Sequence, residues 1–290
     1  MFDGVHRGHR SLLAAVIEKA KQAGTDSVVV TLDPHPRIVL SGGKCSLRYL
    51  SSLDEKIRLM DEAGVDKLVV LPFTTELSRM ETCDFIKKYM VDIIGVKHLL
   101  VGYDHHFGYK DYDSSVSIGK CAALYGFVAE RKGPLKEGEE VISSSLIREK
   151  LLEGSLGIAN SMLGYPYMLG GKVVEGKKIG RLLGYPTANI VADYSHKLIP
   201  ADGVYAVKVL LDSGIYNAML YIGPRPTIEK ESRERTIEVN IFDFNDDIYG
   251  AGISVKFMHR LRGDTKFSSR EKLLDQIERD KEETMRLLKS

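Results

Sequence analysis

The stretch MFDGVHRGHR, residues 1–10, decides how the first half of this 290-residue chain is read. It sets His6 and His9 three residues apart around Gly8, with Asp3 and Gly4 just ahead of them. At a helix start this spacing puts both imidazoles on one face, beside backbone N–H groups that have no intrahelical acceptor. Gly8 then lets a phosphate come close to the backbone. Such a turn can hold a triphosphate and donate hydrogen bonds to charge developing on its oxygens. For an isolated pair, two exposed histidines on a first helical turn would be the ordinary alternative. Here two further stretches share the setting. DPHPR at 33–37 follows a predicted strand, and ISSSLIRE at 142–149 opens a later helix with Ser143, Ser144, Ser145 and Arg148. All three fall at strand-to-helix junctions, the edge at which open α/β sheets bind ligands.

Outward from that turn, apolar runs alternate with amphipathic helical patterns to about residue 150. DSVVVTL (26–32), DKLVVLPF (66–73) and KHLLVGYD (97–104) read as strands buried on both faces. Residues 53–64 and 82–94 read as helices, the first opened by Ser52 with Glu55 at capping-box spacing. This alternation predicts a doubly wound parallel-sheet α/β domain. Past Tyr165 and Pro166 the texture changes to short alternating runs rich in Val, Ile and Tyr, such as GVYAVKVLL (203–211), YNAMLYIG (216–223) and RTIEVNIFDF (235–244). These predict an antiparallel barrel or sandwich. Residues 268–290 predict a terminal helix, with Ser268 and Glu271 at capping-box spacing and Leu273, Leu274, Ile277 and Leu287 on a packed face. The domains are expected to be residues 1–158 and 159–290.

The totals narrow the function. Lys and Arg number 41 against 40 Asp and Glu, for a net charge of +1, so the bulk electrostatics call for neither a nucleic acid nor an anionic membrane. Cys45, Cys83 and Cys121, an odd number at wide spacings, read as reduced thiols rather than a disulfide framework or zinc cluster. No apolar run reaches the length that crosses a bilayer, and no basic segment leads into an apolar one at the start. A cytoplasmic protein is expected.

The second half carries GKKIGRLLGYPTANI (176–190), a loop with Gly176, Gly180 and Gly184 among Lys177, Lys178 and Arg181. A glycine-rich basic loop can cover a polyphosphate; a solvated hairpin loop would look the same. Thr187 and Asn189 alternate in an extended segment, so a hydroxyl and an amide oxygen could face one side and suit Mg²⁺, or could bond along a strand edge. Glu238, inside the apolar run 235–244, is the best general-base candidate, and alternation equally permits a solvent-facing position.

FDGVHRGH together with SSSLIR resembles the signature pair of the H-x-G-H nucleotidyltransferases. Within that group it is similar to the adenylyltransferase half of bacterial bifunctional riboflavin kinase/FAD synthetases. TLDPHPRIVL, VGYDHHFGYK and ANSMLGYPYMLGGKVV fit the same family in order and spacing. The resemblance implies that Asp3, His6, Gly8 and His9 contact ATP, that Ser143, Ser144, Ser145 and Arg148 clamp the leaving pyrophosphate, and that FMN is joined to the α-phosphorus. It also implies flavin contacts at His35, Pro36, Asp104, Phe107 and Arg262. GRLLGYPTANI, GVYAV, GPRPT and IEVNIFDF resemble the riboflavin kinase module that follows in that family. The implied fold is a Greek-key β-barrel. The implied roles are phosphate binding by Gly176, Lys178, Gly180 and Arg181, Mg²⁺ and phosphate binding by Thr187 and Asn189, and proton acceptance by Glu238. Riboflavin, FMN and ATP are the implied partners, Mg²⁺ the cofactor, FMN and FAD the products; self-association is open.

The chain departs from the family pattern in places. A strand and a glycine precede FDGVH in the family, where this chain has Met1. A start downstream of the full-length one is the favoured reading, and a shortened domain with impaired adenylyl transfer the other. His105 and His106 stand where an aromatic residue and a variable one are usual, and Tyr221 replaces an asparagine before IGPRPT. Rival functions are a riboflavin kinase with a weak first domain and a non-catalytic flavin sensor. Thr187, Asn189 and Glu238 argue against the sensor, which has no use for a base beside a hydroxyl.

Overall fold

The computed structural model describes residues 1–42, 44–103, 114–176, 185–224 and 235–289. It contains two units, Met1–Ser143 and Ser144–Ser290. In the first, a short 3-10 turn at Asp3–Val5 leads through His6 into α1 (Arg7–Ala23). There follow β1 (Val28–Asp33), the short α2 (Pro36–Leu40), α3 (Leu53–Glu62) and β2 (Lys67–Pro72). β1 and β2 pair in parallel, from Val28 opposite Lys67 to Asp33 opposite Pro72. The predicted capping box of α3 is present: the Glu55 N–H donates to Ser52 Oγ at 3.1 Å, and the Ser52 N–H donates to Glu55 Oε2 at 2.9 Å.

Next come α4 (Thr82–Phe85), β3 (His98–Gly102), α5 (Ser114–Tyr125) and β4 (Val128–Lys132). β3 and β4 also pair in parallel, and a small antiparallel hairpin of β5 (Lys136–Glu137) and β6 (Glu140–Val141) closes the unit. The α/β alternation with parallel strands is therefore as predicted. Among the described residues the parallel strands form two separate pairs. The helix expected over 82–94 runs on from α4 as a π-helical stretch, Ile86–Ile94. Its wider turn buries Ile86 and Met90, four residues apart, in a cluster with Val101, Ile118, Cys121 and Phe127.

One expectation is overturned in that cluster. Cys83 at the start of α4 and Cys121 in α5 form a disulfide, with their Cα atoms 5.5 Å apart across a sequence separation of 38. The pairing arises because α4 and α5 pack together, which spacing along the chain does not reveal. Cys45 is the free thiol.

The second unit opens with α6 (Ser144–Glu153) and α7 (Leu156–Leu163) and continues into six strands. These are β7 (Met168–Val174), β8 (Ala188–Ala192), β9 (Gly203–Leu211), β10 (Gly214–Pro224), β11 (Arg235–Ile241) and β12 (Gly252–Arg262). They close into an antiparallel barrel in the order β10-β11-β8-β7-β12-β9. The long-range pairs β7–β12 and β8–β11 supply the Greek-key return, and closure leaves no unpaired edge strand. Asn160 joins α7 to the barrel, donating to the Phe257 carbonyl at 2.9 Å and accepting from the Tyr167 N–H at 2.8 Å.

Alternation places the polar residues of β11. Ile237, Val239 and Ile241 are buried in the barrel core, each worth about 1.5–3 kcal/mol of apolar burial. Thr236, Glu238 and Asn240 consequently share the other face. The terminal helix, α8 (Arg270–Leu288), is present as predicted but its cap is one residue later than expected. Ser269, rather than Ser268, accepts the Lys272 N–H at 3.3 Å. Asp280, Thr284 and Leu288 are buried at four-residue spacing along one face. Leu273, Leu274, Ile277 and Leu287 are half-buried. Among the described residues no helix is long and apolar enough to cross a membrane.

Candidate active sites

In the first unit the chemistry begins at the 3-10 turn. The Asp3 carboxylate is 3% exposed and accepts the Leu50 N–H at 3.0 and 3.1 Å and the Ser51 N–H at 3.1 Å. The Gly4 N–H in turn donates to Ser51 Oγ at 2.9 Å. These bonds hold a turn in which Phe2 and Val5 adopt positive φ angles of 44° and 36°, a strained conformation for such residues. Asp3 therefore shapes the turn that presents the histidines.

His6 is the N-cap of α1, its Nδ1 accepting the His9 N–H at 3.4 Å. The two imidazoles stack, centroids 3.6 Å apart and planes 21° from parallel. A Cβ at Gly8 would crowd the site, lying 3.1 Å from the His6 ring and 3.4 Å from the Ile142 carbonyl oxygen. Burial, and then the neighbouring His6 and Lys56, hold His9 well below the usual imidazole range. A neutral His9 has one N–H to donate and one nitrogen to accept. Its buried Nδ1 has no hydrogen-bond partner among the described residues, which fits a site that a ligand completes.

Lys56, on α3, is 4% exposed and belongs to this group, though the sequence reading missed it. Burial lowers its pKa, while Asp3 and Asp33 act in the opposite direction. His35 caps α2, accepting the Arg37 N–H at 3.1 Å, and its own N–H donates to the Tyr49 hydroxyl at 2.8 Å; Pro36 occupies the first turn. Ser143 directly precedes α6, Ser144 and Ser145 open it, and Arg148 lies one turn further along. Ser144 and Arg148, four apart, share a helix face.

In the barrel unit, β8 and β11 bring three predicted residues together. Asn189 stands opposite Glu238 in the ladder, and the Thr187 hydroxyl donates to Glu238 Oε2 at 3.4 Å. Thr236 joins them, its hydroxyl 3.1 Å from Asn189 Oδ1 and 3.4 Å from Glu238 Oε1. Asn240 donates to the Pro186 carbonyl at 2.6 Å and so fixes the segment carrying Thr187. A Cβ at Gly176 would lie 2.0 Å from Asn189 Nδ2, so any side chain there would displace that of Asn189. Tyr185 donates a hydrogen bond to Glu278 of α8 and is thereby pushed up to about 12. The donor set here is a hydroxyl, an amide oxygen and a carboxylate, all hard oxygen ligands of the kind Mg²⁺ takes.

Arg262 pairs with Asp280, its Nη2 2.8 Å from Oδ2, and its guanidinium lies over the Phe267 ring. Asp104, Phe107, Lys178, Gly180 and Arg181 lie outside the described residues, as do His105 and His106. Thr236 and Asn240 were findable in sequence from the two-residue period of TIEVNI around Glu238. Lys56 carried no such signal, because its partners come from separate segments.

A FAD synthetase family model matches residues 1–146 of the chain, and a riboflavin kinase model matches residues 163–288. The bifunctional riboflavin kinase/FMN adenylyltransferase of Bacillus subtilis is 36% identical over 287 residues, covering 98% of this chain and 90% of that protein. The protein of the same description from Listeria monocytogenes is 37% identical over 283 residues, covering 98% and 89%. Among solved structures, one described as a macrolide-efflux protein from Streptococcus pneumoniae is similar at 33% identity and a TM-score of 0.89, covering 98% of this chain and 91% of that one. With both modules matched in order and relatives aligned over nearly the whole chain, the protein belongs to the bifunctional riboflavin kinase/FMN adenylyltransferase family.

Proposed function

We propose that the barrel unit phosphorylates riboflavin with ATP to give FMN, and that the N-terminal unit joins FMN to a second ATP to give FAD and pyrophosphate. The observation that carries the first step is the convergence of Thr187, Asn189, Thr236 and Glu238 on one barrel face. Glu238 accepts the proton of the riboflavin 5′-hydroxyl as its oxygen bonds to the γ-phosphorus and the bond to ADP breaks. Thr187 and Thr236 orient the carboxylate from either side. Thr187 and Asn189 would hold Mg²⁺, which when bound neutralises phosphate charge; Gly176, Lys178, Gly180 and Arg181 cover the phosphates. Positioning and charge neutralisation provide most of the rate.

For the second step, an FMN phosphate oxygen bonds to the α-phosphorus of ATP and the bond to the pyrophosphate oxygen breaks. His6 and His9 donate hydrogen bonds to the phosphate oxygens while Asp3 keeps their turn in place. Ser143 contacts the pyrophosphate, and His35, Pro36, Asp104 and Phe107 meet the flavin. In this reading the protein works in the cytoplasm, where ATP is supplied.

Replacing the base separates the two steps. Glu238→Ala should lower FMN formation by about 10²-fold or more and leave FAD formation from supplied FMN unchanged. Comparable loss of both products would contradict two separate sites.

A further inference from the structure

Tyr221 is the residue at which this chain departs from the pattern beside the barrel site, and its placement is specific. The β10–β11 register sets it directly opposite Glu238, while Asn189 of β8 stands opposite Glu238 on the other side. Residues so paired point to the same face, so Asn189, Glu238 and Tyr221 form one row across three strands. The phenol ring lies along β10 over Gly223, where a Cβ would come within 2.0 Å of the phenol oxygen. Gly223 is itself opposite Thr236, so the ring extends along the face that carries Thr236 and Glu238. The Tyr221 hydroxyl donates to Asp264 Oδ1 at 3.1 Å, which commits its single proton and leaves the oxygen free to accept. Burial first, then Asp264 and Glu238, push the phenol well above its ordinary range, so it remains protonated.

We infer that Tyr221 is a specificity-determining residue of the acceptor site, its phenol oxygen accepting a hydrogen bond from an inner hydroxyl of the substrate's polyol chain and its ring walling the site on the side away from Thr187 and Asn189. This inference rests on the kinase reading of the barrel. Glu238 stands in the middle of the row, with Asn189 at the β8 end and Tyr221 at the β10 end. A polyol chain bonded to Tyr221 brings its terminal hydroxyl to Glu238; a chain without inner hydroxyls gains nothing from the phenol.

The test compares wild type with Tyr221→Phe, using riboflavin and a flavin whose N10 side chain is a 5-hydroxypentyl group carrying only the terminal hydroxyl. The expected result is a rise of about fivefold in KM for riboflavin, as for loss of one neutral hydrogen bond. The kcat should stay within about twofold, and KM for the hydroxypentyl flavin should not change. Equal shifts for both flavins, no shift for either, or a fall in kcat accompanied by a lower melting temperature would overturn it, the last by showing a purely structural role. Quenching of flavin fluorescence on binding gives the same comparison without turnover. If wild type forms no FMN, the kinase reading fails, while the ratio of riboflavin to hydroxypentyl-flavin affinities still decides the role of Tyr221.

Discussion

Opening the Cys83–Cys121 cross-link should remove a large part of the stability of the first unit. In the chain-entropy picture, closing a loop of this length, a sequence separation of 38, costs the unfolded chain about 13 cal/mol/K, or about 3.9 kcal/mol at 25 °C. Whole domains are stable by only about 5–15 kcal/mol, so the effect is measurable against any background. Cys121 is fully buried in the cluster with Ile86, Met90, Val101, Ile118 and Phe127. The cleanest perturbation is therefore one that leaves it in place: Cys83→Ser, or reduction of the wild-type protein with dithiothreitol. Urea unfolding followed by circular dichroism should show a loss of about 3–4 kcal/mol in either case, relative to protein equilibrated with oxidised glutathione. Thiol titration of that oxidised protein in denaturant should find one reactive group, Cys45. Three reactive thiols, or coincident unfolding curves, would refute the cross-link and restore the reading of three reduced cysteines.

Acid should weaken the first unit through His9. Its folded-state pKa lies below the ordinary value of 6.5, so between the two values the unfolded chain binds more protons, and stability present above about pH 6.5 is lost as pH falls. His9→Gln should flatten that slope in urea titrations between about pH 5 and 7.5; an unchanged slope would show that His9 is not its source. Gly176→Ala should displace Asn189 and lower FMN formation at least tenfold, leaving conversion of supplied FMN intact. Unchanged FMN formation would show that the close approach of Gly176 to Asn189 is not needed for the kinase step.

Much of the fold was legible because it follows from short-range patterns. The three apolar runs hold the parallel strands Val28–Asp33, Lys67–Pro72 and His98–Gly102, the Ser52–Glu55 box closed as spacing required, and the period of two in TIEVNI put Glu238 on the face away from the core. The rest depends on contacts between distant segments. Cys83 meets Cys121 only because α4 packs on α5. Asp3 finds its acceptors' partners at Leu50 and Ser51, 47 and 48 residues away, and Lys56 is buried in the field of Asp3 and Asp33. Ser269 rather than Ser268 caps α8, and two adjacent serines give no local reason to prefer one. Tyr221 was visible as an unusual residue, but its bond to Asp264, 43 residues on, required the closed barrel.

The central claim is that one chain carries two flavin-nucleotide activities. The most direct measurement is chromatographic separation of flavin products from the 290-residue chain supplied with MgATP and either riboflavin or FMN. The account predicts FMN and FAD from riboflavin, and FAD from FMN. FMN without FAD would contradict the adenylyltransferase assignment of the His6/His9 turn, and no product from either substrate, with flavin still bound, would contradict the catalytic reading of both units.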